Sequence, residues 1–445
     1  MKLTKRLSDA LAGLVGDALP TSNENLLSEG KSSDLYGIAS TAFDSDELPG
    51  LNRFDLTWIL FQACYAANRN AHEKAIEDPA QCTSAALREA LLQEVRKRLD
   101  PLPRDCYIYV PLISFPNVPG DSSAVIEICR DLSIVMAQAD YFFKSPQAWT
   151  GEQAPLSAIA FLGNLGRSEA QTIPALRVKC SGYLSGDATC SAAMNGLAKI
   201  REFLYLGKSF NALRERPGII ARAMLENSTP DSIFGQSIDG SVQQVRISVK
   251  PELLSLAARA LPATDSQSLL DDPEVREDDH QEKYRRFVSR TRDIALVLDS
   301  AEEDRDFDQI RRAIEWAFEA QIADERSVSL VQSFIALEAL LGDEATSKMS
   351  ADRITERLAD RYSYLVGTTQ SNRHELREQF RRLYRIRGQV VHGKKIRSKL
   401  EHEYEGRFGA EYLASQAIRS EVIRCVDVWR KSLAGALRRT LEIKR

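Results

Sequence analysis

The amino-acid pattern changes character near residue 263, and this change limits the folds open to the chain. Between about 105 and 250, short runs rich in β-branched and aromatic residues alternate with Pro, Gly, Asn and Asp clusters, which is typical of strands joined by turns. Beyond residue 282, apolar residues recur only with helical spacing. The sequence therefore predicts an α+β protein, in which an N-terminal mixed α/β region is followed by an all-α helical bundle.

The N-terminal region is expected to span residues 1–262. Its first hundred residues are mainly helical in pattern, with long apolar-periodic stretches at 51–78 and 83–99. The strand-rich part at 105–250 contains six apolar runs, at 106–115, 124–129, 132–137, 156–163, 175–185 and 242–249. A helix at 191–215, with Asp187 or Thr189 as its cap, is expected to cover one face of their sheet.

The acidic segment at 263–282 is predicted to be a solvated linker, because its last twelve residues carry seven carboxylates and one arginine. After it, residues 283–445 are predicted to form an all-α region. The helical stretches fall at 283–299, 306–322, 326–342, 350–366, 372–392 and 409–440.

Composition excludes several classes of protein. Apolar residues make up 43% of the 445 residues and charged residues 27%, which rules out a wholly disordered, collagen-like or coiled-coil chain. The seven cysteines include no C-x-x-C pair, as expected of free thiols in a reducing compartment. No apolar run approaches the roughly 18 residues needed to span a bilayer. Asp9 and Asp17 indicate an amphipathic N-terminal helix rather than a signal peptide, so we expect a cytoplasmic protein without membrane contact.

The stretch SNRHELREQFRRLYRIRGQVVHGKKIRSK carries the most chemical information. Arg387 shares a helical face with apolar side chains, namely Leu376, Phe380, Leu383, Tyr384 and Val391. A guanidinium on a buried face is unfavourable unless it is paired or lines a solvated crevice, so this position indicates a site or an ion-pair network. His392 follows five residues later, beside Gly393.

The pattern Arg387-x-x-x-x-His392, within LYRIRGQVVHG, resembles the catalytic motif of HEPN-domain ribonucleases. With WAFEAQ and SFIALEALLG upstream, at 316–342, the C-terminal region is similar to the ApeA-like HEPN branch of bacterial anti-phage defence. The resemblance covers about residues 305–440. The spacing also occurs between Arg397 and His402, and a variant with six intervening residues joins Arg385 to His392. The apolar context favours Arg387.

The chemistry of these residue types fits cleavage of RNA by its own 2′-hydroxyl. The reaction needs a base for the 2′-hydroxyl proton, an acid for the leaving 5′-oxygen and a cation for the charge on phosphorus. His392 is expected to act as base or acid and Arg387 to bind the phosphate. Since one motif supplies one histidine, two copies in a two-fold homodimer through the C-terminal bundle would complete the site.

Further residues are expected to support this site. Tyr384 is placed to stack a base, and Glu338 to pair with Arg361 or Arg387. RNA-binding candidates are Arg381, Arg385, Lys394 and Lys395. They belong to a stripe from Arg373 to Lys399 with ten Lys and Arg against two Glu, although the net charge of the whole chain is −4. The partner is therefore expected to be RNA, such as tRNA.

The resemblance implies a metal-independent endoribonuclease that acts in anti-phage defence by abortive infection. The architecture alone suggests that the large N-terminal region restrains it until a phage or cellular trigger acts. The products would end in a 2′,3′-cyclic phosphate and a 5′-hydroxyl. No phosphate-binding loop, nucleophile elbow or zinc spacing occurs, and no metal or cofactor is expected. Two alternatives stay open. One is a non-catalytic HEPN dimer that binds RNA or scaffolds proteins, and the other is a helical protein whose basic stripe binds an acidic partner.

Overall fold

A computed structural model describes the greater part of the chain. The residues that it describes are 9–10, 37–39, 51–77, 84–113, 115, 125–138, 142, 172–215, 232–238, 244–263, 277–299, 305–343, 350–392 and 400–442.

Helices and strands both occur in these ranges. The helices are α1 (Arg53–Glu77), α2 (Ser84–Leu99), α3 (Ser191–Ser209), α4 (Pro251–Arg259), α5 (Glu277–Asp299), α6 (Arg305–Ile322), α7 (Arg326–Leu341), α8 (Ala351–Val366), α9 (Gln370–Val391) and α10 (Leu400–Glu442). The strands are β1 (Arg104–Pro111), β2 (Val125–Cys129), β3 (Leu132–Gln138), β4 (Thr172–Gly182), β5 (Leu213–Glu215), β6 (Ile233–Ser237), β7 (Gln244–Ile247) and β8 (Ala260–Pro262). The protein is thus a mixed α+β protein, and the predicted fold class is confirmed at this level.

The strands form two sheets. The larger has six strands in the order β2-β3-β4-β1-β6-β7, and the smaller pairs β5 with β8. The register is antiparallel where β6 meets β1, with Tyr107 opposite Gln236, and where β6 meets β7, with Phe234 opposite Arg246. The hairpin of β2 and β3 is antiparallel too, with an irregularity at Glu127. Alternate residues of β1 are buried, as expected of a strand with one face on a core.

The chain divides into two compact units, each made of several segments. The first contains Met1–Tyr109, Val178–Leu197 and Ser232–Val249, and the second contains Val110–Arg177, Ala198–Asp231 and Lys250–Arg445. The helices α5 to α10, which carry the candidate site, belong to the second unit.

In the first unit, α1 and α2 pack against each other through an apolar cluster that includes Leu56, Ile59 and Leu91. The buried carboxylate of Asp55 accepts the backbone N–H of Ser191 at 3.0 Å, at the first residue of α3. An acceptor at a helix N-terminus satisfies an otherwise unpaired donor. Burial raises the pKa of the Asp55 carboxyl, although hydrogen bonds from Asn52 and Ser191 act to lower it.

The predicted cap of α3 is wrong, because the carboxylate that binds its first residue belongs to Asp55. Of the expected candidates, Asp187 accepts hydrogen bonds from the backbone and hydroxyl of Thr189, two residues ahead of the helix. The group that binds Ser191 comes from a distant point of the sequence, which local spacing does not reveal. As predicted, α3 covers the sheet, because Gly196 lies against Ile108 of β1 and Cys180 of β4.

The six helices predicted after the acidic segment are all present as α5 to α10. Two of them begin earlier than predicted, at Glu277 instead of about 283 and at Leu400 instead of about 409. The extra residues of α5 are all polar and so give no apolar periodicity, and both extensions are rich in acidic side chains, which favour a helix N-terminus. The predicted linker is therefore wrong for 277–282, while 264–276 lie outside the described residues.

The strands agree less fully with the sequence pattern. The runs at 106–115, 124–129, 132–137, 175–185 and 242–249 each contain a strand, and the run at 156–163 lies outside the described residues. The helix predicted to reach residue 215 ends at Ser209, because the chain turns at Asn211, whose φ is 53°, and then enters β5. The short strands β5, β6 and β8 were not predicted. No helix among the described ranges is both long and apolar enough to cross a bilayer.

Candidate functional site

Helix α9 lies against α7 and α8, and its buried residues all come from its first two-thirds. Leu376, Phe380 and Leu383 are buried, whereas every residue from Tyr384 to His392 is half-buried or exposed. The ring of Phe380 makes an edge contact with Phe334 of α7, with 5.6 Å between ring centroids. This packing fixes the helix, and its last two turns carry the motif residues at the edge of the core.

Arg387 is held at this edge by two groups. Its Nη2 lies 3.5 Å from Oε1 of Glu338 on α7, and the two side chains are 23% and 32% exposed. Its guanidinium carbon also lies 5.5 Å from the ring centre of Tyr384, a cation–π distance. The predicted pairing of Glu338 with Arg387 is therefore present.

Tyr384 connects these groups to the core. Its hydroxyl donates to Glu338 Oε1 at 2.9 Å, and its ring packs edge-on against Phe334 and stacks on Phe380. Burial and the neighbouring Glu338 carboxylate raise the pKa of Tyr384 to about 12. The phenol is thus neutral at physiological pH and serves as a hydrogen-bond donor. Its ring already packs against two phenylalanine rings, so the predicted base-stacking role stays a prediction.

Arg361 does not pair with Glu338. Its guanidinium instead donates to the carbonyl of Leu341 and to the Asp343 carboxylate, both at 2.5 Å. Arg357, one turn earlier on α8, also binds Asp343 at 2.6 Å. These contacts hold the C-terminal end of α7 against α8, so Arg361 supports the packing of the helix that carries Glu338 and does not bind its carboxylate.

His392 follows the last residue of α9 and is exposed. Its backbone N–H donates to the carbonyl of Gly388 at 3.1 Å, so the helix remains regular up to this point. Val391, which the periodicity placed on the buried face, is 51% exposed. The helical spacing is correct, but the core ends near Tyr384 and nothing covers that face two turns later within the described part of the chain.

Carboxylates on α8 neutralise part of the basic stripe. Arg377 pairs with Asp360, and Arg381 pairs with Glu356 as well as with Glu378 of its own helix. From Arg377 to Arg381 the residue number rises along α9, while the number of the paired carboxylate falls along α8, as in two antiparallel helices. The sequence contained the signal, because Glu356 and Asp360 are four residues apart, as are Arg377 and Arg381.

The other RNA-binding candidates differ in environment. Arg385 is exposed and makes no ion pair with any described residue. Lys394 and Lys395 lie outside the described residues, as does Arg397 of the alternative motif. Within the described ranges, no three His, Cys, Asp or Glu side chains are arranged to hold a metal ion.

Comparisons with the models of known protein families, with curated proteins and with solved structures find no match to this chain. Its function must therefore be inferred from the residues themselves. They define an arginine paired with a carboxylate at the edge of a helical core, two helical turns of partly exposed backbone, and an exposed histidine at the end.

Proposed function

We propose that this protein is a metal-independent endoribonuclease of the HEPN type, whose composite site forms between the C-terminal helices of two copies. The observation that carries the proposal is the position of Arg387 and His392 on the last two turns of α9, beyond the buried core. The exposed His392 is accessible to a substrate and to a second copy, while Arg387 lies at the edge of the core and is partly exposed. A solvent-exposed imidazole is also the group suited to proton transfer near neutral pH.

The proposed reaction begins with attack of an RNA 2′-hydroxyl on the adjacent phosphorus. One His392 imidazole accepts the 2′-hydroxyl proton, and the protonated imidazole of the partner copy donates a proton to the 5′-oxygen as the P–O5′ bond breaks. The products are a 2′,3′-cyclic phosphate and a 5′-hydroxyl. An arginine stabilises the negative charge on the phosphoryl oxygens in the transition state.

The need for two imidazoles supports a homodimer. Each chain has one motif histidine, and a two-fold axis places the same surface of both copies opposite each other. The resemblance to the defence branch suggests a role in abortive infection, with the N-terminal region restraining the nuclease until a trigger acts.

A second function has one observation in its favour. The charge of Arg387 is already balanced by Glu338, which weakens its attraction for phosphate. This arrangement would suit a non-catalytic dimer that binds RNA, or protein partners, through the outer face of α9.

The two functions are separated by incubating the purified protein with total tRNA in EDTA. We expect cleavage by the native protein, a loss of about 10²-fold or more in His392→Ala, and a loss in Arg387→Ala. His374→Ala is the matched control, since His374 is a histidine near the opposite end of the same helix. Binding without cleavage would favour the scaffold, and cleavage that survives in His392→Ala would exclude the proposed mechanism.

A further inference from the structure

The geometry of α9 separates the two motif residues onto different faces. The helix is continuous from Gln370 to Val391, with about 100° of rotation per residue. Arg387 and His392 are five positions apart, so their side chains leave the helix about 140° apart. Arg385 and His392 are seven positions apart and differ by only about 20°. The arginine that shares the face of His392 is therefore Arg385.

The environments of the two arginines agree with this division. Arg387 turns towards α7, where Glu338 and Tyr384 hold it, and its Nε is buried without a hydrogen-bond partner among the described residues. Arg385 is exposed, and no described carboxylate pairs with it. Arg387 thus has its charge compensated within the chain, whereas the charge of Arg385 is available to an anion.

Gly388, which is half-buried, lies between Arg385 and His392 along the helix, three residues after the first and four before the second. A Cβ built at this glycine would meet no atom of the described residues within 4 Å, apart from the backbone of its own helix. Packing against the described residues therefore does not require a glycine here, and a glycine within a helix is less stable than an alanine. A bare stretch of helix backbone between a cation and an imidazole is suited to close approach by a molecule from outside the chain.

We infer that the stripe formed by Arg385, Gly388, Gln389 and His392 binds the RNA phosphodiester backbone, and that Arg387 is a positioning residue. This inference rests on the proposed function and names the substrate-binding face of that same site. Gly388 lets the ribose and phosphate reach the helix, Arg385 binds phosphate oxygens, and Gln389 offers an amide donor beside them. Arg387 acts through Glu338 and Tyr384 by fixing the end of α9.

The charges on the stripe favour a nucleic acid over a bare protein–protein contact. From Arg382 to His392 the helix has no acidic residue, and the acidic residues nearest in the preceding sequence are Glu375 and Glu378. If two copies met face to face through this stripe alone, their Arg385 side chains would repel each other. An anionic chain between them removes the repulsion and uses both cations.

The test measures how RNA binding depends on salt. A labelled single-stranded RNA with methylated 2′-hydroxyls, which cannot undergo the proposed cleavage, is titrated with the native protein and its variants, and the affinity is followed by fluorescence anisotropy from about 50 to about 200 mM salt. Arg385→Ala should make the slope of log affinity against log salt shallower by about 0.7 for each phosphate that the protein no longer neutralises. Arg387→Ala should leave the slope unchanged. Arg312→Ala, on the exposed surface of α6, is the control.

A second variant tests the same face without removing a charge. Gly388→Ala should make the folded state more stable, by about fivefold in the unfolding equilibrium constant, and should weaken RNA binding at least about tenfold. A stabilised protein that binds less well cannot be explained by misfolding.

The outcomes distinguish the inference from the proposed function. If RNA is bound and cleaved but Arg387→Ala alone reduces the salt slope, or if Gly388→Ala binds RNA normally, the assignment of the face is wrong and the nuclease proposal survives. If the parent protein neither binds nor cleaves RNA, the proposed function fails, and the inference fails with it.

Discussion

The hydrogen bond from Tyr384 to Glu338 makes a quantitative prediction about what holds the end of α9 in place. Tyr384→Phe removes the donor but keeps the ring that packs on Phe334 and Phe380. Hydrogen bonds to charged groups contribute about 1.5–3 kcal/mol, and those between neutral groups about 0.5–1.5 kcal/mol. Both side chains are partly exposed, so the lower end of each range applies. We expect Tyr384→Phe to cost about 1.5 kcal/mol of unfolding free energy.

The same substitution should cost less when the carboxylate is neutral. In Glu338→Gln the acceptor loses its charge and the hydroxyl makes a neutral hydrogen bond, so Tyr384→Phe should then cost about 0.5 kcal/mol. The coupling between the two sites is thus about 1 kcal/mol, or a factor of about five in the unfolding constant at 25 °C. Glu338→Gln should also lower nuclease activity or dimer stability, because it releases Arg387.

The assay is urea unfolding of the four proteins of this double-mutant cycle, followed by the helical circular dichroism signal. Tyr364→Phe is the matched control, because Tyr364 is an exposed tyrosine of the neighbouring helix α8. Its replacement should change the unfolding free energy by less than about 0.5 kcal/mol. Equal costs for Tyr384→Phe with and without the Glu338 charge would refute the idea that this hydrogen bond fixes the end of α9.

Two further predictions concern stability. Gly196→Ala should destabilise the protein by about 1–3 kcal/mol in urea unfolding, because the new Cβ would lie 2.8 Å from Cγ1 of Ile108; Gly388→Ala, with open space, should have the opposite sign. Burial raises the pKa values of Tyr384 and Tyr183 to about 12. Since a tyrosine in the unfolded chain ionises near pH 10, the stability that these phenols contribute is complete below about pH 10 and is lost as the pH rises towards 12. Phenolate absorbance measures the ionisation of the two tyrosines, and urea midpoints across this pH range measure the loss of stability. Ionisation of both residues near pH 10 would contradict the predicted pH dependence.

The helices of the C-terminal region could be predicted from sequence because a buried stripe imposes a 3.6-residue period. The period gives no signal at the start of α5, where all six residues from Glu277 to Glu282 are polar. The strand β6 was not predicted, because its sequence gives only a weak strand signal. Its sequence IFGQS is short and contains Gly235, which lowers the strand signal, and its place in the sheet comes from pairing with β1 and β7.

The site could be predicted only in part. Glu338 was predicted to pair with Arg361 or Arg387, because a carboxylate at the edge of an apolar face favours an opposite charge, and Arg387 is the partner in the structure. Local periodicity could not show that Arg361 would choose Asp343, which lies in the connection after α7. Nor could it show where the core stops along α9, and this determines the exposure of Val391 and His392. The point where the core stops depends on how far the neighbouring helices extend beside α9.

The arginines of α9 divide by direction into two groups with different roles. Three of those facing α7 and α8 are matched by carboxylates: Arg377 by Asp360, Arg381 by Glu356 and Arg387 by Glu338. The excess of eight positive charges in the sequence stripe therefore overstates the charge available to a ligand. Since an ion pair within the protein competes with phosphate for the same guanidinium, the outward-facing arginines must supply most of any salt-dependent RNA affinity. The inward-facing arginines bind the helix to its neighbours and so determine which face of α9 is turned outward.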